Sequence, residues 1–281
     1  LPTTCANFGS RAIVHDTAVD PVVDFGVTRV HRITRSLSGS PLATPCRNTG
    51  LVTCANASIE AIIDKEGGVC LTRAVDMTKA RDVQAAVDDC VKRFGRIDIL
   101  VNNAGSAPGG VIEFLSEEAW MQALQLKFMG YVRCLKHALP IMVAQGGGRV
   151  VNLIGNDGVK DSYWEIAPGA ANAAGQNLTK SLAGQYGKHN ISMCAVNPGP
   201  VRTERWAGLV KAMARDMKIS EAEADTLAPR SIPLGRIAEV EEVANLCAYL
   251  ASDLAHFVNG TMIEIDGGQS KVLMDQARDD R

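Results

Sequence analysis

The stretch Phe94–Gly105, FGRIDILVNNAG, carries the clearest chemical content of this 281-residue chain. Ile97–Val101 reads as a strand buried on both faces, and it delivers Asn102, Asn103, Ala104 and Gly105 to its carboxyl end. Open α/β sheets bind ligands at that end. Asparagine amides can both donate and accept there, and small residues let a ligand approach the main chain. Other reactive residue types do not assemble. His15, His31, His137, His189 and His256 show no ligand spacing, and the eight cysteines contain no C-x-x-C pair. Asp216, Glu221, Glu223 and Asp225 read as a solvated helix face, so no metal site is expected. Cys90, Cys134, Cys194 and Cys247 fall within apolar patterns and are expected as buried thiols.

The elements that must position these residues become regular from residue 51. Leu51–Cys54 reads as a strand, Ser58–Lys65 as a helix and Val69–Val75 as a strand ending at Asp76. Ala80–Phe94 is an amphipathic helix with Val83, Val87, Cys90, Val91 and Phe94 on one face. Ser116 is placed to cap a helix running towards Ala138, with Glu117 and Glu118 in its electropositive first turn. Arg149–Ile154, Ile191–Val196 and Thr261–Ile265 read as strands, and Asn172–Tyr186 and Glu239–Ser252 as helices. Strands alternating with helices predict a doubly wound, mostly parallel, Rossmann-type sheet in a three-layer α/β/α architecture. Residues 204–231 form a helical excursion carrying Trp206, Leu209, Met213 and Met217.

Residues 1–50 form an atypical segment, 51–270 the domain and 271–281 a tail. Prolines at 2, 21, 41 and 45 interrupt the first segment; Arg11–His15 could be a strand and Val22–Ile33 is ambiguous. Its arginines would suit a transit peptide, but Asp16, Asp20 and Asp24 oppose that, and a first residue Leu1 leaves the true start open. With 29 basic and 31 acidic residues, no nucleic-acid or anionic-lipid footprint stands out. No run approaches the roughly 20 apolar residues that span a bilayer, and the scattered cysteines suit a reducing, cytoplasmic compartment.

Further motifs follow in order: Gly147–Asn152 (GGRVVN), Asn197–Thr203 (NPGPVRT), Pro233–Arg236 (PLGR) with Glu241–Ala244 (EEVA), and Asp266–Gly268 (DGG). As a set they resemble the short-chain dehydrogenase/reductase family, close to the branch of 3-oxoacyl carrier-protein reductase-like proteins, over roughly residues 51–270. The resemblance implies a Rossmann domain using NADP or NAD. It puts Asp76 at the adenine, Asn103 beside the adenosine ribose and Lys136 on the central helix. Val201 and Thr203 fall at the nicotinamide carboxamide. It also implies a dimer or tetramer of identical chains, paired through helices 117–138 and 172–186.

The chain departs from that family at two places. The glycine-rich turn that lets the main chain touch a pyrophosphate at a helix N-terminus is missing, since Gly9, Gly26, Gly39 and Gly50 stand alone. Family chemistry uses a Ser, a Tyr, a Lys and a helix Asn. Aligned without gaps, this chain has Gly155, Pro168, Asn172 and Lys127 at those positions. A phenol of pKa about 10 donates a proton usefully when an ammonium lies beside it. Tyr163, flanked by Lys160, Ser162 and Glu165, is the candidate acid, with Lys127 as its charge partner; a loop aromatic packing over the site is the plainer reading of Tyr163.

The function so implied is NAD(P)-dependent hydride transfer between a carbonyl and a secondary alcohol. Trp206, Leu209, Met213 and Met217 suggest an apolar or acyl-type small-molecule substrate, although a core-packing stripe would look the same. A catalytically silent relative serving as a nucleotide-binding or hetero-oligomer subunit is one alternative. A defective product of an altered gene is the other.

Overall fold

The computed structural model describes residues 25–28, 49–52 and 69–270. The strands are β1 (Phe25–Thr28), β2 (Thr49–Val52), β3 (Val69–Thr72), β4 (Ile99–Asn102), β5 (Gly148–Leu153), β6 (Ile191–Pro198) and β7 (Met262–Ile265). They form one sheet in the order β3-β2-β1-β4-β5-β6-β7. Every pair is parallel except those of β1, which runs antiparallel to both β2 and β4. The mostly parallel Rossmann-type sheet is therefore present, and the ambiguous segment 22–33 contains its one reversed strand. The expected elements Arg11–His15 and Ser58–Lys65 lie outside the described residues.

Helices α1 (Ala80–Phe94), α3 (Met129–Ala144) and α4 (Ile166–Tyr186) cover one face, around Val87, Leu100, Leu135, Met142, Ile191 and Met193. Helix α7 (Val240–Ala251) covers the other, where Val243, Cys247 and Leu250 meet Ile99, Val151, Cys194 and Val196. The period of two along β6 explains the division, with Met193 facing the first layer and Cys194 and Val196 the second. Cys90, Cys134, Cys194 and Cys247 are buried free thiols, as expected.

Ser116 caps α2 (Glu117–Ala123) by accepting the amide of Ala119 at 3.2 Å. A π-helical turn, Leu124–Phe128, then joins α2 to α3, which continues past Pro140 to Ala144. The helix expected from Asn172 starts instead at Ile166, because Pro168 sits in the first turn. No intrahelical donor is required there, so proline is compatible with the helix. Residues 204–231 fold as α5 (Glu204–Met217), α6 (Glu221–Leu227) and a 3-10 turn. Among the described residues no helix is long and apolar enough to cross a membrane.

Neutral polar groups tie the two central strands to α4. Asn102 Nδ2 donates to Asn152 Oδ1 at 2.8 Å, and Asn152 Nδ2 donates to Thr179 Oγ1 at 2.9 Å. Thr179 donates in turn to the carbonyl of Gly175 at 2.8 Å. All of these side chains are buried, so water cannot replace a lost partner. Asn152→Ala strands the Asn102 amide and deprives Thr179 of its donor. We expect a loss of about 2–4 kcal/mol in urea unfolding.

Helix α7 begins with a capping box in which Glu242 accepts the amide of Glu239 at 2.9 Å. Arg236 grips the same carboxylate with contacts of 2.6 and 2.7 Å and brings its pKa down to about 2. A depressed folded pKa stabilises above the unfolded value of about 4.3, and the contribution fades as pH falls towards the folded one. Thermal melts between pH 5 and pH 2 should therefore fall less steeply for Glu242→Gln than for the wild type.

Candidate active site

The carboxyl edge of the sheet gathers the loops after β3, β4, β5, β6 and β7. After β3, Asp76 accepts the amide of Thr78 at 2.9 Å and its hydroxyl at 2.6 Å, and pairs with Lys79 at 3.0 Å. The Thr78 hydrogen bond, followed by Lys79, holds the Asp76 pKa below its ordinary value despite partial burial. After β4, Asn103 and Gly105 lead into the loop before α2. A Cβ on Gly105 would lie 2.9 Å from Cγ of Lys127, so the lysine stem packs directly on this main chain. Lys136 is exposed on α3, away from its buried stripe of Cys134, Leu135, Ala138 and Leu139.

After β5 the chain turns through Gly155, at φ +136°, into a 3-10 turn over Asn156–Gly158. A Cβ on Gly155 would lie 2.7 Å from Oδ1 of Asp157 and 2.7 Å from Nδ2 of Asn172. Those two groups are hydrogen bonded to each other, with the Asn172 amide donating to the Asp157 carboxylate. The space beside the Ser position is thus filled by an acid and an amide. Asn172 is buried, and its Oδ1 has no hydrogen-bond partner. Pro168, also buried, lies one helical turn before it on α4. The structure therefore brings the Ser, Tyr and Lys positions together, although their side chains are Gly, Pro and Asn. Asp157 was missed by the sequence reading. The signal available was a carboxylate two residues beyond a glycine that replaces a serine.

Tyr163 stands on the outer part of the same loop and is 43% exposed. Next to it, Trp164 packs on Gly109 and leaves no room for a Cβ there. The Trp164 carbonyl accepts the amide of Gly110 at 2.6 Å, tying this loop to the one after β4. Tyr131 is the buried phenol nearest in sequence to Lys127; it donates to the carbonyl of Leu153 at 2.5 Å, and burial pushes its pKa up.

After β6, Val201 bridges to Ala238, and the amide of Arg202 donates to the Ala238 carbonyl at 2.9 Å. Thr203, the residue before α5, reaches the carbonyl of Val201 at 3.4 Å. Trp206, Met213 and Met217 are buried in one cluster with Val210, Ala224, Ile232 and Ile237, against which Trp164 of the loop after β5 also packs. The apolar stripe thus serves packing of the excursion and its neighbours. Asp225, expected on a solvated face, accepts Trp206 Nε1 at 2.7 Å, whereas Glu221 and Glu223 are exposed.

A buried polar cluster anchors the loop after β5 to the end of β7. Lys160 pairs with Asp266 and donates to the carbonyl of Gln269. Asn156 donates to Asp266 at 3.2 Å and to Gln269 Oε1 at 2.8 Å, while Gln269 Nε2 donates to Ser231 at 3.0 Å. Burial pushes the Lys160 pKa down and the charge of Glu264 opposes it, with Asp266 in direct contact.

A profile of the family described as enoyl-(acyl carrier protein) reductase matches residues 50–270, most of the chain. The chain belongs to the short-chain dehydrogenase/reductase family. Two similar proteins come from Sinomonas cyclohexanicum. The trans-4-hydroxycyclohexanecarboxylate dehydrogenase is 34% identical over 196 residues, covering 70% of this chain and 69% of its own. The cis-4-hydroxycyclohexanecarboxylate dehydrogenase is 37% identical over 198 residues, covering 70% and 75%. Among solved structures, L-sorbose reductase from Gluconobacter frateurii, complexed with NADPH and L-sorbose, superposes with a TM-score of 0.71 at 30% identity, covering 77% of this chain and 83% of that one. This short-chain dehydrogenase/reductase is accordingly an oxidoreductase of the NAD(P)-dependent class, as its sequence implied.

The described residues fit the two ends of such a dinucleotide better than its middle. Asp76 and Asn103 follow β3 and β4 at the carboxyl edge, and the Val201–Thr203 turn follows β6 at the same edge. The reversal of β1 explains the missing glycine turn. Phe25, its first residue, pairs with Asn102, so the strand runs away from the carboxyl edge. Its last described residue, Thr28, pairs with Gly50 near the start of β2, away from that edge.

Breaking the Lys160–Asp266 pair leaves a buried carboxylate without its cation. Lys160→Met should lower unfolding stability by about 3–5 kcal/mol, and adding Asp266→Asn should recover much of it, both read by denaturant titration.

Proposed function

We propose that this short-chain dehydrogenase/reductase interconverts a secondary alcohol and a ketone on a small alicyclic substrate, with NADP or NAD as hydride carrier. The observation that carries this reading is the convergence of the turn after β5 and α4 at Gly155, Asp157 and Asn172, held in register with β4 by Asn102, Asn152 and Thr179. The substrate class follows the two hydroxycyclohexanecarboxylate dehydrogenases to which the chain is similar. Exposed Ile112, Phe114 and Val159, on the two loops joined by the Gly110–Trp164 hydrogen bond, support an apolar ring at the mouth. A cytoplasmic homo-oligomer paired through α3 and α4 belongs to the same reading, as does a domain spanning residues 51–270.

A bound NADP or NAD would supply or accept the hydride, and Asp76, Asn103, Val201 and Thr203 would hold it. Lys127, packed on Gly105, provides a cation on the nicotinamide side. Tyr163 with Lys127 is the acid pair that the sequence offers. The exposure of Tyr163 and its place beside Trp164 support the other role, closure over the substrate at the rim.

Calorimetric titration with NADPH and NADH tests the cofactor, and turnover of cis- and trans-4-hydroxycyclohexanecarboxylate tests the substrate class. Micromolar binding with turnover is expected. Binding without turnover identifies a silent relative, and no binding at millimolar concentration removes the oxidoreductase reading. Tyr163→Phe should keep kcat within about threefold and raise KM. A fall of about a hundredfold in kcat restores the phenol as the acid.

A further inference from the structure

Resting on that oxidoreductase reading, we propose that Asp157 is the catalytic residue that exchanges the proton with the substrate oxygen, and that Asn172 is the positioning residue that holds it. Gly155, Asp157, Pro168 and Asn172 belong to the turn and helix where the family's Ser, Tyr and Lys positions meet. Of these side chains only the Asp157 carboxylate can take up and release a proton. Glycine and proline have no proton to exchange, and an amide does not gain or lose one in the working range of an enzyme. Asp157 also lies where the chemistry requires it. Its Oδ1 is 2.7 Å from where a side chain on Gly155 would begin, so the carboxylate occupies the space beside the missing serine.

Two further observations support the pairing. Asp157 is partly accessible whereas Asn172 is buried, so a bound molecule can reach the carboxylate while the amide orients it from below. Asn172 spends its donor on Asp157 and is left with a buried Oδ1 that accepts nothing. A buried acceptor without a donor costs free energy, on the order of 1–3 kcal/mol, so the amide orientation that gives Asp157 a hydrogen-bond donor is maintained against that cost. The other charged groups around this loop are accounted for differently. Lys160 and Asp266 neutralise each other at the end of β7, and Asp161 is exposed.

The step balances without a further reactant. In the oxidation direction the alcohol O–H bond breaks and its proton passes to the Asp157 carboxylate. The C–H bond breaks with its electron pair leaving as hydride to the oxidised nicotinamide dinucleotide, and the oxygen lone pair closes the C=O bond. In reduction the carboxylic acid returns the proton to the oxygen as hydride arrives at carbon. Asp157 then exchanges its proton with solvent through its accessible side.

The test compares wild type, Asp157→Asn and the control Asp161→Asn, which removes a carboxylate from the exposed part of the same loop. Asp157→Asn keeps an oxygen for the Asn172 amide, so the fold is retained. Its NADPH affinity by calorimetry should stay within about twofold of wild type. For oxidation of cis-4-hydroxycyclohexanecarboxylate its kcat should fall about a hundredfold or more, and the acidic limb of the pH–rate profile should vanish. Binding of that hydroxy acid to NADPH-loaded protein, a dead-end complex followed by nicotinamide fluorescence, should weaken about tenfold. Asp161→Asn should match wild type in every readout. An active wild type whose pH limb and kcat survive in Asp157→Asn overturns this proposal and leaves the oxidoreductase reading standing. A wild type that does not bind NADPH, or binds it and turns nothing over, overturns both.

Discussion

Asn152 fixes the geometry on which the rest of this site depends. It lies near the carboxyl end of β5, buried, with Asn102 of β4 on one side and Thr179 of α4 on the other. Apolar packing sets how close a helix lies to a sheet, but it tolerates sliding, because one methyl group contacts another at many offsets. A directional amide–hydroxyl chain without access to water does not. Once Thr179 is held at Asn152, the α4 residues two turns earlier are fixed in height against the end of β5. That is where Asn172 meets Gly155 and Asp157.

The close approach of the 3-10 turn to α4 follows from three glycines as well as from that chain. A Cβ on Gly158 would lie 2.8 Å from the amide nitrogen of Ala173, and one on Gly169 would lie 2.9 Å from the carbonyl oxygen of Asp157. Turn and helix therefore touch main chain to main chain, which places the Asp157 side chain within hydrogen-bonding reach of Asn172. Gly155 adds a second constraint, since its φ of +136° is a conformation that L side chains rarely adopt. A serine introduced at 155 meets both strain and crowding. The loss of the family's serine and the arrival of the aspartate are two sides of one local rearrangement.

Much of the fold was legible because hydrophobic period and capping chemistry are local. The apolar face of α1, the Ser116 cap and the strands β4 to β7 follow from residues within a few positions of each other. What the sequence left open, or placed differently, has identifiable causes. The helix expected from Asn172 starts at Ile166 with Pro168 inside, since the first turn of a helix has no use for the donor that proline lacks. Val22–Ile33 gave no direction, because a strand's pattern is the same whichever way it runs; only pairing with Asn102 reveals the reversal of β1. Trp206, Met213 and Met217 have the spacing of a helix face, and spacing alone does not say whether a substrate or α6 covers it. Asp157 was passed over because a gapless alignment asks what stands at each family position, whereas the carboxylate reaches that space from two residues further on.

The pair of Lys160 and the buried Asp266 links this loop to the end of β7 and, through Gln269, to the α5–α6 excursion. An ion pair taken out of water gains little net stability over an apolar packing of the same volume. What it supplies here is position, since Asp266 also accepts Asn156, while Gln269 accepts Lys160 and Asn156 and donates to Ser231 at the end of the α5–α6 excursion. Asn156 is the residue next to Asp157. The turn that carries the carboxylate is therefore held at one end by the strand–helix amide chain and at the other by a cluster shared with the α5–α6 excursion. A displacement of that excursion must either break the hydrogen bond of Ser231 to Gln269 or move Asn156 with it. Residues 204–231 are in this way mechanically connected to the height of Asp157.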